Sequence, residues 1–164
     1  MGQILRDRLK QSHFKSAFQE ATLNVLVTAD YLKEKIEKLC SENGITAQQY
    51  NVLRILKGAH PNGHPRREIL SRMIERSPDA TRLIDRLEER ELVERTVSET
   101  DKRLSITKIT AKGLEIVNRM AAPIEALDHH LFSQISPEEA ETLSSLCEKI
   151  YGQQNNIKTF DNQS

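Results

Sequence analysis

No run of apolar residues in this chain approaches the roughly 20 that a bilayer-spanning helix requires, and the first residues form no apolar signal core. The chain is therefore expected to be cytoplasmic and to have no membrane partner. Cysteine is scarce: Cys40 and Cys147 stand far apart without Cys-x-x-Cys spacing, so neither a disulfide scaffold nor a cysteine zinc site is indicated. An excess of one charge is missing too, since 24 Lys and Arg balance 24 Asp and Glu. Bulk charge then drives no nonspecific binding to nucleic acid, and only a local gathering of cations on one face would favour it. No nucleophile beside a base, no Gly-rich phosphate loop and no zinc-hydrolase spacing is visible. Neither catalysis nor a cofactor is expected. At 164 residues the length suits one domain, or one domain with helical extensions.

What is present centres on residues 66–113, which read as helix, turn, helix, two short strands and the start of another helix. Within Ser77-Pro78-Asp79-Ala80-Thr81-Arg82-Leu83-Ile84-Asp85-Arg86-Leu87, Ser77 is an N-cap, Pro78 fits the first helical position, and Ala80, Leu83, Ile84 and Leu87 form an apolar stripe. Turning that stripe inward leaves Pro78, Arg82, Asp85, Arg86 and Glu89 outward, with Asp79 and Thr81 on the flanks. The preceding Arg66-Arg67-Glu68-Ile69-Leu70-Ser71-Arg72-Met73-Ile74 is a shorter amphipathic helix. Two helices joined so closely suit a helix-turn-helix whose second helix enters a major groove. After Leu92 the pattern changes to strands around the polar turn Ser98-Glu99-Thr100-Asp101-Lys102-Arg103, a β-hairpin with a basic tip. The fold class is mainly α with a small β-hairpin wing: a winged helix-turn-helix.

Four pieces give this reading a family. They are Ile45-Thr46-Ala47-Gln48-Gln49-Tyr50-Asn51-Val52-Leu53; Thr81 to Leu87 with Leu92-Val93-Glu94-Arg95; Asp101-Lys102-Arg103; and Leu104 to Gly113, ending Ile109-Thr110-Ala111-Lys112-Gly113. In order and spacing, residues 45–117 resemble the DNA-binding core of the MarR (multiple antibiotic resistance regulator) family of bacterial transcription regulators. Two departures stand out. Glu91 occupies a position usually held by glycine after the recognition helix, and Glu75 and Arg76 occupy a turn that is usually apolar and small. The first changes a helix C-cap; the second bears on operator preference.

Placed on this frame, Ser77, Asp79, Thr81 and Arg82 sit in the first turns of the recognition helix, where base edges come within reach. Arg82 can fork onto a guanine, and Arg86 is assigned to phosphate. Asp85 and Glu89 would repel DNA if unpaired, so they are expected to pair with neighbouring arginines or face away. At the wing, Asp101-Lys102-Arg103 resembles the family's D-x-R tip, which implies an arginine in the minor groove oriented by the acid. Arg66 and Arg67, at a helix start, are assigned to phosphate contacts.

Flanking segments complete the plan. Residues 1–11 are polar and expected to fray. From about residue 12 to residue 40, Phe14, Phe18, Ala21, Val25, Ala29, Leu32, Ile36 and Leu39 mark one long helix, and a second strip at Ala17, Leu23, Leu26, Val27 and Tyr31 makes it too apolar for one small domain to cover. A dimer interface or an internal core helix would account for that, and the dimer is preferred. Thr46 and Gln49 suit a capping box. Residues 60–65 read as a turn. Thr110 caps a long helix interrupted at Pro123, and Ser136-Pro137-Glu138-Glu139 starts the last one. The expected organisation is a dimerisation helix in 1–44, the winged helix-turn-helix in 45–113, dimerisation helices in 114–152 and a flexible tail in 153–164.

The resemblance implies a homodimeric repressor on a pseudo-palindromic double-stranded DNA operator, released by a small-molecule effector. Tyr31, Tyr50 and Met120 are candidates for the border of the effector pocket. Two alternatives stay open: a redox- or metal-sensing DNA-binding regulator, and a winged-helix protein-interaction module without DNA. No metal site is expected, because His129 and His130 are adjacent and point about 100° apart on a helix. Cys40 ends the first long helix, whereas peroxide-sensing members of the family carry a reactive cysteine near its beginning.

Overall fold

The computed structural model describes residues 2–75, 80–97 and 102–152, with backbone alone at 80 and 81. The N-terminal segment is a helix, α1 (Gln3–Leu9), and not a frayed end. Its one buried side chain, Leu5, supplies the anchor, and Lys10, left-handed at φ 53°, closes it by donating its N–H to the carbonyl of Asp7 while Gln11 N–H reaches that of Arg6. Ile4 and Leu9 of the same helix stay exposed, so one buried side chain is the apolar tie of this segment to the rest.

The long helix, α2 (Ala17–Glu42), begins five residues later than the apolar spacing suggests. Ser16 decides this: its hydroxyl accepts the N–H of Gln19 at 3.1 Å while the Gln19 side chain accepts the N–H of Lys15 at 2.7 Å. Phe14 therefore precedes the helix, with the Arg6 guanidinium 5.8 Å from its ring centre. At the other end Gly44, φ 72°, turns the chain so that Gly44 and Ile45 N–H groups satisfy the carbonyls of Ser41 and Cys40.

The next helix, α3 (Ala47–Gly58), starts with the expected capping box between Thr46 and Gln49. A two-residue strand follows, β1 (His64–Pro65), where turn chemistry alone is expected from the sequence. It exists because the outer edge of the wing accepts it: His64 pairs with Thr107 and Pro65 with Ile106. Gly63 makes the approach possible, since at φ 72° a Cβ there would lie 2.3 Å from the Thr107 carbonyl oxygen. Then come α4 (Arg66–Arg72), α5 (Ala80–Glu89), β2 (Val93–Val97), β3 (Ser105–Ile109) and α6 (Ala111–Leu131), the sheet order being β1-β3-β2, all antiparallel.

These elements enclose one core. Tyr50, Val52, Leu53 and Leu56 of α3 meet Ile69 of α4, Leu83, Ile84 and Leu87 of α5, Val93 and Ile109 of the wing, and Ile116, Val117 and Met120 of α6. Cys40 is buried in the same cluster.

The described residues divide into two compact units, one up to residue 124 and one from residue 125, with the boundary inside α6; the expected tail 153–164 lies outside the described residues. The core described above belongs to the first. In the second, Ser136 and Glu139 form the capping box of α7 (Pro137–Tyr151) and Pro137 stands at its first position, as the sequence predicts. Along α7, Leu143, Leu146, Ile150 and Tyr151 remain exposed. No described helix is long and apolar enough to cross a membrane.

Candidate nucleic-acid interface

Helix α5 buries Leu83, Ile84 and Leu87, the stripe the sequence predicts, and this fixes its outward face. Arg82 and Arg86, one turn apart, are exposed on that face, as is Glu89. Ser77 and Asp79 lie outside the described residues, and so does the side chain of Thr81.

Asp85 pairs with an arginine, as expected, but the arginine comes from the wing. Arg95 on β2 donates from Nη2 to Asp85 and forms an ion pair with Glu88, its Nη1 lying 3.1 Å from that carboxylate. One strand cation thus answers two carboxylates of the recognition helix, which would otherwise repel a phosphate backbone. Sequence spacing within the helix gives no hint of it, because the partner arrives through tertiary packing.

The hairpin is buried where it leaves the core, at Val93 and Ile109, and exposed towards its tip, where Val97 is 64% accessible. Lys102 and Arg103 are exposed in the turn before β3. Asp101 lies outside the described residues.

A small knot fixes the base of this wing against the end of α5. The helix closes in a double turn: Glu91 N–H donates to the Glu88 carbonyl at 2.8 Å and Leu92 N–H to that of Leu87 at 2.9 Å. Glu91 holds φ 60°, the left-handed conformation for which glycine is suited, so its place as a departure from the family pattern has a backbone consequence. Lys112 Nζ lies 3.0 Å from the Glu91 carboxylate. Thr110 joins the parts: its hydroxyl donates to the Glu91 carbonyl at 2.8 Å and accepts the Gly113 N–H at 3.1 Å, capping α6. Gly113 itself must lack a side chain, because a Cβ would sit 2.3 Å from the Leu92 carbonyl oxygen.

Arg66 and Arg67 are exposed at the start of α4. The three pocket candidates separate. Tyr50 and Met120 are buried in the common core, whereas Tyr31 lies 40% exposed on α2 with Lys35 Nζ 5.0 Å from its ring centre. Among the described residues no group of three His, Cys, Asp or Glu side chains is placed to hold a metal ion. Cys40 is fully buried, and burial first, with Glu37 adding to it, pushes its thiol up to about 11.

Glu75, which the sequence links only to operator preference, has partners that the sequence does not reveal. Lys33 Nζ of α2 lies 2.7 Å from one carboxylate oxygen, and Gln48 Nε2 of α3 donates to the other at 3.3 Å. Those two donors hold its carboxyl below the usual range, and Glu75 in turn raises Lys33. The available signal was a charge standing in a turn usually made of small apolar residues.

Residues 45–105 match the sequence profile of the MarR family. The crystal structure of a MarR transcription factor from Planctomyces limnophilus is 34% identical, covering 83% of this chain and 98% of that one, with a TM-score of 0.63. The transcriptional repressor MprA of Escherichia coli (strain K12) is 27% identical over 150 residues, 90% of this chain and 85% of MprA. The S. aureus MepR–DNA complex shares the fold at 22% identity and a TM-score of 0.71, covering 84% of this chain and 97% of that one.

Proposed function

We propose that this chain, which belongs to the MarR family of transcription regulators, is a homodimeric repressor that binds a pseudo-palindromic DNA operator and releases it when a small molecule binds. One observation carries the reading: α5 presents Arg82 and Arg86 on its exposed face, within the same compact unit as the exposed Lys102-Arg103 turn of the wing. A helix with two outward arginines beside a hairpin with a basic tip suits a major groove and the neighbouring minor groove. Net neutrality is no obstacle, because local charge is what counts: Arg95 pairs with Asp85 and Glu88, two of the three carboxylates of α5, and Glu89 is the one left exposed beside Arg82 and Arg86.

Arg82, with Ser77, Asp79 and Thr81, is assigned to base edges. Arg86, Arg66 and Arg67 are assigned to phosphates, and Arg103, with Asp101 and Lys102, to the minor groove. Dimerisation falls to residues 1–44 and 114–152. Phe18 and Leu26 of α2 and the apolar side chains of α7 are exposed in the single chain, and a second copy would cover them. Two recognition helices would then lie about one DNA turn apart. MprA is a repressor and MepR has been seen on DNA, which supports both halves of the reading. An effector acts only through different affinities for DNA-competent and incompetent arrangements of the dimer. A place in the cytoplasm, with its DNA, belongs to the same proposal.

The test is binding of the full-length protein to duplex from its own promoter region across a salt series, alongside Arg103→Ala. Binding should saturate at one dimer per site, fall steeply with salt, and weaken about five- to a hundredfold in the variant, the roughly 1 to 3 kcal/mol of a groove-reading arginine. Absence of binding at low salt, or indifference to both sequence and Arg103, would overturn the reading.

A further inference from the structure

The short segment after α4 leads into the recognition helix, and it is held from outside at two successive residues. Ile74 donates its N–H to Asn51 Oδ1 of α3 at 3.1 Å. Glu75 then spends one carboxylate oxygen on Lys33 Nζ of α2 at 2.7 Å and the other on Gln48 Nε2 of α3 at 3.3 Å. Lys33 does not act alone. Four residues on, along the same face of α2, Glu37 accepts the N–H of Ala47 at 3.0 Å and so caps the start of α3. One face of α2 therefore grips both the first turn of α3 and the turn that precedes α5.

An acidic residue near a DNA-binding helix is ordinarily a liability, since an unpaired carboxylate repels phosphate. Here both carboxylate oxygens are engaged by side chains of other helices. We infer that Glu75 is a positioning residue for the recognition helix: its carboxylate ties the turn leading into α5 to α2 through Lys33 and to α3 through Gln48, so that the orientation of α2 sets the approach of α5 to the operator. This rests on the proposed DNA-binding function. Only residues 76–79 separate the clasp from Ala80, where α5 begins. A tie so close to the helix start restricts its entry more effectively than one further along the chain. The pair is solvent-accessible on both sides, with side chains 56% and 43% exposed, so its effect is a modest bias and not a foundation of the fold.

The experiment compares wild type with Glu75→Gln, Lys33→Glu and the swapped double variant Lys33→Glu/Glu75→Lys. Dissociation constants are measured on the promoter duplex and on a shuffled duplex of equal length, together with thermal midpoints. Glu75→Gln keeps an acceptor for Gln48 and loses the ion pair. It should weaken operator binding about two- to fivefold, as expected for an exposed pair, and leave binding to the shuffled duplex unchanged. Lys33→Glu should do the same or more, and the swap should return to within about twofold of wild type. Tighter binding of Glu75→Gln to both duplexes would mean that the carboxylate only repels DNA and would overturn the inference. So would equal losses on both duplexes, or a swap that melts with wild type without recovering operator affinity. If wild type itself failed to distinguish the duplexes, the regulator reading would fall first; if it distinguished them and Glu75→Gln matched it, the inference alone would fall.

Discussion

Replacing Thr110 by valine removes one hydroxyl and leaves the shape of the side chain, so it tests the knot at the base of the wing directly. Two hydrogen bonds disappear: the cap on the Gly113 N–H at 3.1 Å and the donation to the Glu91 carbonyl at 2.8 Å. Loss of a helix N-cap costs about 1 kcal/mol, and a further protein hydrogen bond about 1 kcal/mol. Thr110 is only partly buried, so water can reach the freed carbonyl and the combined loss should be about 2 kcal/mol. Gly113 cannot back away to compensate, because it is already packed against the Leu92 carbonyl. In a chain of this length about 2 kcal/mol lowers the thermal midpoint by roughly 4 to 8 °C. The assay is thermal unfolding by circular dichroism at matched protein concentration, since a dimer's midpoint depends on concentration. Thr110→Ser, which retains both bonds, is the control and should stay within about 2 °C. Operator affinity should fall in Thr110→Val and hold in Thr110→Ser, because Glu91 closes α5 and Thr110 follows β3. A valine variant that melts with wild type would refute the argument that this hydroxyl joins the two elements.

What the sequence discloses here is what neighbours along the chain decide. Ser136 with Glu139, and Thr46 with Gln49, form capping boxes in the structure because each motif needs only residues three apart. The inward stripe of α5 and the alternating burial of β3 follow the same logic, being periodicities written into single elements. Glu91 is legible by a different route: a family position usually filled by glycine is one where the backbone turns left-handed, and φ 60° is what the structure holds. The rest depends on partners distant in sequence. Strand β1 is two residues long and owes its existence to the exposed edge of β3. The start of α2 turned on Ser16 and Gln19, a local pair that the apolar spacing upstream concealed. Arg95 and Glu75 carry no sign in their own neighbourhoods of the residues they meet, and both matter to the interface because a strand or helix brings the partner across.

The wing arginine and the buried cysteine give two further tests. Arg95→Ala should free Asp85 and Glu88 beside the recognition face and weaken operator binding about three- to tenfold at 0.1 M salt, less at higher salt. Adding Asp85→Asn should recover part of the loss, and a strictly additive double variant would show that the pair is not coupled. Cys40 tests the core. Its thiol is raised from 9.0 to about 11 in the folded chain, chiefly by burial, so at pH 8 it should carry about 100-fold less thiolate than an unfolded cysteine and resist iodoacetamide until the protein unfolds. The same shift fixes a direction for stability. Above pH 9 the unfolded chain releases the Cys40 proton while the folded chain retains it, so this group favours unfolding progressively as pH climbs from 9 to about 11. Below pH 9 both states hold the proton and the contribution is flat. Thermal midpoints of wild type should therefore fall more steeply than those of Cys40→Ala across that window and run parallel to them below it. Parallel curves throughout would mean that the thiol is not held in the apolar core, and rapid native-state alkylation at pH 8 would say the same.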